Sequence, residues 1–380
     1  MALEEAVVRD RRHLHAHPEL SFRERETVAY LRAQVEALGL SPQERGGGLV
    51  VDLAGGAGPG RTVAVRADMD ALPVEEAEGL PFRSQAPGVM HACGHDAHMA
   101  IALGVLRRLV AGRDRLAGRV RFLFQPAEET PPGGALELIR AGALDGVEAI
   151  VGLHVNSLLP VGRAQVQSGP LLANSDVFEV EIEGVGGHGS QPHLTVDAAL
   201  VAAQTVVHLQ TVVSRRVDPL QPAVVSVGRI EAGTAHNIIP GRARVVGTVR
   251  TLSEGVRERV RAEMERIVRA SADLAGASAR LVYTEGYPAV VNPEGWPTTV
   301  LAETAAEVVG RAGVVQGPPW LAGEDFAYYQ RHVPGAFFFL GCGGPDRAPH
   351  HSSAFALDEG CLVYGVDILA RAAVRLAAGG

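Results

Sequence analysis

Three apolar segments of this chain each end in side chains that can carry charge or bind a metal ion. With the polar residues that follow them, they are residues 62–67 with Asp68 and Asp70, residues 119–125 with Glu128 and Glu129, and residues 147–153 with His154. Each segment has the length and composition of a buried strand, and helical patterns lie between them. This alternation predicts an α/β fold with a mostly parallel mixed sheet flanked by helices. In such sheets, ligands bind at the edge where the strands end.

A second feature is the stretch His91-Ala92-Cys93-Gly94-His95-Asp96-Ala97-His98, which is dense in potential metal ligands. Thiolate and imidazole are ligands that a borderline-soft ion such as zinc prefers. The spacing of the histidines would place them on one face of a helix. The alternative is a helix start with a buried thiol and surface histidines. Carboxylates and histidines from distant segments would favour a metal site.

Composition limits the classes of protein that remain. A chain of 380 residues exceeds the usual size of one core, so two domains are expected. The net charge of -8 argues against nucleic-acid and acidic membrane partners. No apolar run approaches the ~20 residues that span a bilayer. Three widely spaced cysteines imply no disulfide framework, so a reducing, cytoplasmic location is expected.

The middle of the chain has a different pattern. Strand-like and helical segments follow one another in the order β-α-β-β-α-β, at residues 176–183, 196–213, 223–230, 242–250, 254–274 and 279–285. This order is the split ferredoxin-like pattern. The predicted organisation is an α/β domain of residues 1–173 and 289–380, which would carry the candidate site, interrupted by an inserted domain of residues 174–288.

The acidic pair Glu128-Glu129 is the second strong candidate for chemistry. Adjacent residues beyond a strand point in different directions, so one carboxylate can bind a metal while the other accepts a proton from water. An ordinary acidic turn is the alternative. His154 alone would more often be a core histidine, and the pair His350-His351 a solvated loop. The polar turn at residues 323–326 could help to close the pocket.

In the inserted segment, Gly184, Gly186 and Gly189 match a dinucleotide fingerprint only weakly, because no helix begins within the glycines and the expected acidic residue is absent. His188, Asn237 and Arg250 could polarise a carbonyl and hold a carboxylate. Each of these, taken singly, is more often structural.

These motifs together resemble the co-catalytic metallopeptidase family that contains aminoacylases and hippurate hydrolases. The similarity is strongest to its N-acyl-amino-acid amidohydrolase branch, which includes plant hydrolases of indole-acetyl-amino-acid conjugates. The motifs that carry the resemblance are Arg12 to Leu20, Arg66 to Pro73, Met90 to His98, Phe124 to Glu129, Gly187 to Gly189, His236 to Pro240, Gly323 to Phe326 and His350 to Ser352.

The resemblance implies a role for each matching residue. The implied metal ligands are Cys93, His95, Glu129, His154 and His351. Glu128 is the implied general acid and base, with Asp68 and Asp70 in support. His188 and Asn237 would contact the scissile carbonyl, and Arg250 the substrate carboxylate, from an inserted lid that also forms a homodimer or homotetramer. His188 would act in its own subunit or in the partner.

The function predicted on this basis is metal-dependent hydrolysis of N-acyl-amino acids with acetyl, benzoyl or similar acyl groups. One or two divalent ions (Mn, Zn, Co or Ni) are implied, because the Cys93/His95 pair stands where relatives use a bridging aspartate. An amino- or carboxypeptidase on the same scaffold, a nucleotide-dependent oxidoreductase and an inactive metal-binding protein are the alternatives; Glu128 argues against the last. The preferred acyl group and amino acid stay open.

Overall fold

The chain forms two units in the computed structural model, which describes residues 2–379. The first unit comprises the chain up to Leu171, Val291–Pro318 and the chain from Asp325 onwards, and the second comprises Leu172–Val290 and Pro319–Glu324. The sequence assigned residues 319–324 to the catalytic domain. In the structure they cluster with the second unit, because the amide of Ala173 donates hydrogen bonds to the carbonyls of Trp320 and Ala322.

A mixed sheet lies at the centre of the first unit. Within the described residues, its strands in spatial order are β1 (Gln43–Arg45), β2 (Gly48–Ala54), β4 (Arg119–Gln125), β3 (Thr62–Asp68), β5 (Ala149–Pro160), β16 (Gly335–Gly343), β6 (Ala164–Gln165) and β15 (Val314–Val315). The central pairs β4–β3, β3–β5 and β5–β16 are parallel. The predicted mixed α/β fold with a mostly parallel sheet is therefore confirmed. The β1–β2 hairpin at the edge was not predicted.

Helices of the first unit bury their apolar faces against this sheet or against one another. They are α1 (Leu3–Ala16), α2 (Arg25–Glu36), α3 (His95–Ala111), α4 (Gly134–Arg140), α7 (Thr298–Val309), α8 (Phe326–Gln330) and α9 (Cys361–Ala377). The helix α3 is buried along nearly its whole length. Its alternation of small and branched apolar residues on all sides explains why it lies inside the unit rather than on its surface.

The second unit has its own sheet and its own core. Its strands, in the spatial order β10-β12-β8-β13, are β10 (Ala223–Ala232), β12 (Arg242–Thr251), β8 (Asp176–Glu183) and β13 (Ser278–Thr284), and all three pairings are antiparallel. The helices α5 (Ala198–Arg215) and α6 (Glu254–Ala275) pack on this sheet around apolar residues such as Phe178, Leu209 and Met264.

The glycines of the weak dinucleotide fingerprint do not open a helix. Gly186 and Gly189 flank the short strand β9 (Gly187–His188), which pairs with β11 (Ile238–Ile239), and α5 begins only at Ala198. A dinucleotide site needs a helix N-terminus at the glycines to face the pyrophosphate. The oxidoreductase alternative is therefore wrong.

The remaining elements are short. They are β7 (Gly169–Leu172), β14 (Val290–Asn292) and 3₁₀ turns at Arg113–Arg115, Pro192–Leu194 and Arg311–Gly313. Among the residues that the structure describes, no helix combines the length and the apolar composition that a bilayer crossing requires.

Candidate metal centre

Strand register brings the polar residues of three segments to one edge of the first unit's sheet. Asp68 is level with Gln125 on β4, and Arg66 is level with Gly152 on β5. His154, two residues after Gly152, is therefore level with Asp68. The sequence placed His154 just past the end of a strand, whereas β5 continues to Pro160 and His154 lies inside it. The error has a simple cause, since the polar residues that follow His154 hid the second half of the strand.

Cys93 and His95 reach this edge because the chain turns sharply between them. Gly94 has φ +93° and caps the N-terminus of α3, so Cys93 belongs to the preceding loop and His95 to the first helical turn. A Cβ atom at position 94 would lie 2.4 Å from Cγ2 of Val155. Glycine is therefore needed for both its conformation and its size.

Hydrogen bonds determine which ring nitrogen of His95 and which of His154 is available to bind a metal. Nδ1 of His95 donates to the backbone carbonyl of Asp70 at 2.8 Å, and Nδ1 of His154 donates to the carbonyl of Val155 at 2.7 Å. Both rings consequently present Nε2 to the site, as metal-bound histidines usually do. Nε2 of His154 lies 3.3 Å from the sulfur of Cys93.

Nε2 of His95 is the central atom of the site. It is buried and has no hydrogen-bond partner among the described residues. Carboxylate oxygens of Asp68, Glu128 and Glu129 lie 3.7, 3.9 and 3.9 Å away. A buried ring nitrogen without a partner, surrounded by carboxylates, is the environment expected of a metal ligand.

The implied ligands form two overlapping groups. Cys93 lies with His95 and His154 in one group and with Glu129 and His351 in the other; within each group, the potential ligand atoms are within 4.8 Å of one another. His351 enters through a loop in which it adopts φ +64°, and its Nε2 is 3.3 Å from Oε1 of Glu129. Unusual backbone conformations of this kind are concentrated at functional sites.

The site favours a positive charge. Burial opposes protonation of His95, but Asp68, Asp70 and Glu129 outweigh it and raise its pKa to about 10. Burial together with Glu129 and Glu128 raises the pKa of the Cys93 thiol well above its usual value. A divalent cation would satisfy the carboxylates and stabilise the thiolate, so this donor set fits a metal ion.

The remaining histidines of the motif, and His350, do not belong to the ligand groups that contain Cys93. Nδ1 of His98 donates to Asp68 at 2.6 Å and its Nε2 accepts from the amide of Val155 at 2.9 Å, so neither nitrogen is available to a metal. Nε2 of His350 likewise accepts from the amide of Ser157. His91 is buried outside α3 and makes no hydrogen bond among the described residues, and burial lowers its pKa to about 4. The single helical face suggested by the spacing is therefore not formed.

The turn at residues 323–326, which the sequence associated with closure of the pocket, contributes a buried carboxylate to the first unit. Asp325 is completely buried in the first unit, where it accepts hydrogen bonds from Arg66 and from the side-chain amide of Gln125. Arg66 also pairs with Asp68 at 2.6 Å. Asp325 thus stabilises the strand that carries Asp68.

The candidate residues of the second unit fall into two places. His188 and Asn237 are neighbours, because β9 pairs with β11 and the amide of Gly189 donates to the carbonyl of Asn237. Nδ1 of His188 accepts from the hydroxyl of Ser190, and its side chain is exposed. Arg250 lies near the far end of β12, where it donates to the carbonyls of Leu321 and Val249.

The loop that carries Glu128 and Glu129 depends on a residue that sequence analysis missed. Glu24 is buried, and its Oε1 accepts a hydrogen bond from the amide of Ala127. In the sequence it lies in the charged run Arg23-Glu24-Arg25-Glu26, which reads as a solvated helix start. No local signal distinguishes it.

Comparison with known proteins decides the family. Residues 64–375 match Peptidase family M20/M25/M40. The chain belongs to this family. The resemblance found in the motifs is therefore confirmed, and the protein is a hydrolase that acts on amide bonds.

Relatives with described activities are similar along most of the chain. The N-acyl-L-amino acid amidohydrolase of Geobacillus stearothermophilus is 47% identical over 293 residues, which is 77% of this chain and 79% of that protein. Thermostable carboxypeptidase 1 of Saccharolobus solfataricus is 40% identical over 98% of this chain and 96% of its own length. The Bacillus subtilis YXEP protein, described as a dinuclear metal-binding peptidase of the M20 family, superposes with a TM-score of 0.88 at 37% identity, covering 99% of this chain and 98% of that one.

Proposed function

We propose that this protein hydrolyses the amide bond of N-acyl-amino acids. The observation that carries the proposal is the convergence of Cys93, Glu129 and Glu128 with the Nε2 atoms of His95 and His154 at one buried edge of the sheet. The Geobacillus relative, an N-acyl-L-amino acid amidohydrolase by name, supports the substrate class. A reducing, cytoplasmic location is part of the proposal, because the number and spacing of the cysteines imply no disulfide framework.

The chemistry follows from the donor set and the neighbouring carboxylate. A bound divalent ion would polarise the scissile carbonyl and acidify water at the site. Cys93, His95, Glu129, His154 and His351 would hold one or two such ions, and the sharing of Cys93 between two ligand groups supports two. Glu128 would take a proton from the attacking water and return it to the departing amine nitrogen.

The second unit supplies the remaining candidates. We propose that it is an inserted ferredoxin-like lid, with chain order β8-α5-β10-β12-α6-β13. His188 or Asn237 would stabilise the oxyanion of the tetrahedral intermediate, and Arg250 would bind the carboxylate of the amino acid.

The length of β12 indicates whether His188, Asn237 and Arg250 of one subunit can act on the same substrate molecule. The strand has ten residues and so spans roughly 30 Å. Arg250 lies near one end, and the His188–Asn237 pair lies beyond the other, since Asn237 precedes Arg242 along the chain. An N-acyl-amino acid is much shorter than this strand. We therefore propose a homodimer in which His188 and Asn237 act in the partner's site and Arg250 acts in its own.

The experiment combines metal analysis with substrate assays. Purified protein is stripped with a chelator, reloaded with Mn²⁺, Zn²⁺, Co²⁺ or Ni²⁺, and assayed on acetyl-, benzoyl- and indole-acetyl-amino acids. We expect metal-dependent release of the amino acid. In Glu128→Gln, kcat should fall by roughly 10²–10⁴ while the bound metal is retained. The matched control is Glu137→Gln, because Glu137 is a half-exposed carboxylate of α4 paired with Arg140. Activity that survives chelation, or full activity of Glu128→Gln, would contradict the proposal.

A carboxypeptidase is the second candidate, favoured by the Saccharolobus relative. It would use the same carboxylate-binding arginine, because both reactions release an amino acid with a free carboxylate. Peptides with blocked and with free N-termini, assayed beside the acyl-amino acids, separate the two functions and also test for aminopeptidase activity.

A further inference from the structure

The loop after β4 contains an alanine in a conformation that side chains rarely adopt. Ala127 is completely buried and has φ +53°. In this left-handed region the Cβ atom crowds the following carbonyl oxygen, so a residue other than glycine needs support from its surroundings. Ala127 directly precedes Glu128 and Glu129. Its φ angle therefore sets the direction in which the chain enters the candidate metal centre.

Two buried carboxylates hold three successive amides of this loop. Oε1 of Glu24 accepts from the amide of Ala127 at 2.7 Å. Oδ1 and Oδ2 of Asp70 accept from the amides of Glu128 and Glu129 at 3.0 and 2.9 Å. The orientation of the loop thus comes from side chains of distant segments, since the ladder of β4 ends at Gln125.

The side chain of Glu24 does not cap the helix α2 that follows it. Glu24 occupies the N-cap position of α2, yet its side chain makes no capping hydrogen bond. The carboxylate of Glu19 fills that role, accepting from the amide and the hydroxyl of Thr27 at 2.8 and 2.9 Å. The buried carboxylate of Glu24 accepts from the amide of Ala127 and also interacts with its own amide and that of Phe22, so it joins the segment before α2 to the loop after β4.

A second contact ties the same segment to the far side of the loop. The hydroxyl of Ser21 donates to Oδ2 of Asp70 at 2.7 Å, and the hydroxyl of Thr130 donates to Ser21 at 2.9 Å. The segment from Ser21 to Glu24 therefore contacts the loop at both Ala127 and Thr130.

We propose that Glu24 is a positioning residue that holds Ala127 in its left-handed conformation and so sets the positions of Glu128 and Glu129. The proposal rests on the function proposed above for these two carboxylates. Glu24 acts only through the backbone of the loop, and we assign it no contact with substrate or metal.

Two substitutions of Glu24 separate its hydrogen bond from its volume. Glu24→Gln keeps an oxygen that can accept from Ala127, and we expect kcat within about twofold of wild type. Glu24→Met has a similar length without an acceptor. We expect its kcat to fall at least about tenfold, since small displacements of reacting groups have large effects on rate, while KM changes by less than about threefold. Its affinity for Mn²⁺, titrated into chelator-treated protein, should fall by at least about fivefold.

A glycine substitution tests the conformational mechanism directly. Glycine adopts φ near +53° without a Cβ penalty, so Ala127→Gly in the Glu24→Met background should raise kcat and Mn²⁺ affinity at least about threefold. Ala135→Gly is the matched control. Ala135 is also buried and its amide also donates to a carboxylate, Oδ2 of Asp325 at 3.1 Å, but it lies in the helix α4. In the Glu24→Met background, Ala135→Gly should recover neither kcat nor Mn²⁺ affinity.

Two results would overturn the proposal. One is a Glu24→Met variant with wild-type kcat and Mn²⁺ affinity, and the other is equal recovery by Ala127→Gly and Ala135→Gly, which would indicate a general effect on stability. The Mn²⁺ titration is independent of hydrolysis. If wild type hydrolysed none of the amides but Glu24→Met lost Mn²⁺ affinity and Ala127→Gly restored it, the proposed function would fail and the positioning role would stand.

Discussion

Asp70 contacts two parts of the candidate metal centre at once. Its backbone carbonyl accepts from Nδ1 of His95, and its carboxylate accepts from the amides of Glu128 and Glu129. Burial opposes its ionisation, but hydrogen bonds from His95 and Ser21 outweigh that effect and lower its pKa. A single ionised residue therefore orients both a proposed ligand ring and the loop that carries the proposed base.

Glu24 gives a prediction for the pH dependence of stability. Burial, together with the charge of Asp70, raises its pKa from 4.5 to about 7. A carboxyl group whose pKa is raised by folding contributes stability that is complete below the unfolded pKa and is lost as the pH rises through the folded one. Glu24→Gln removes this titration. From pH 4.5 to about pH 8, we expect its free energy of unfolding to rise relative to wild type by about 3 kcal/mol.

The measurement is urea denaturation of chelator-treated wild type and variant across this pH range, so that any titration of metal ligands is common to both proteins. Glu137→Gln, the control used for Glu128, reports the effect of removing a half-exposed carboxylate under the same conditions. A pH-independent difference between Glu24→Gln and wild type would show that Glu24 does not titrate abnormally.

At the scale of elements, the first turn of α3 is fixed by charges from α1. Oδ2 of Asp96 accepts from Nε of Arg11 and from Nδ1 of His15, both at 2.8 Å, and these side chains are buried. Nε2 of His15 donates to Glu76 at 3.0 Å. Burial opposes the charge on His15, but Asp96 and Glu76 outweigh it and raise its pKa. This network anchors the turn that presents His95.

We predict that Asp96→Ala lowers the free energy of unfolding by about 3–5 kcal/mol, because it leaves the buried charges of Arg11 and His15 without their main partner. Asp367→Ala is the matched control, since Asp367 pairs with Arg108 at a partly exposed position and should cost less than about 1 kcal/mol. Denaturant unfolding of the two variants checks the difference. Equal losses would contradict the role given to the buried network.

At the scale of the whole molecule, the proposed exchange of lid residues between subunits predicts complementation. Glu128→Gln and His188→Ala should each be nearly inactive as homodimers. In a mixed dimer, one site would combine an intact Glu128 with an intact His188 from the partner. Random re-association of equal amounts should therefore restore about a quarter of wild-type activity.

The assay follows activity after the two variants are co-expressed or unfolded and refolded together. Each variant treated alone is the control. If His188 served its own subunit, every site in the mixture would lack one of the two residues and no activity would return.

The main elements of the fold could be predicted from the sequence, because apolar residues spaced at the period of a helix or a strand are a local signal. The prediction failed at the β1–β2 hairpin and at the second half of β5. Residues 49–53 of β2 do form an apolar run, so that strand had a local signal, whereas the second half of β5 is specified by its pairing with β16. The same limit applies to Glu24, whose contact with Ala127 joins residues 103 positions apart.

By itself, the sequence determined the family, the order of the main strands and helices in the first unit, and the presence of thiolate, imidazole and carboxylate groups at one edge of the sheet. Only the tertiary structure decided which nitrogens are available. His98 and His350 have their ring nitrogens engaged by hydrogen bonds, whereas Nε2 of His95 has none among the described residues and Nε2 of His154 faces the sulfur of Cys93. The physical reason is that residue type supplies a ligand, but the hydrogen bonds made by the rest of the fold determine whether its lone pair is free to bind.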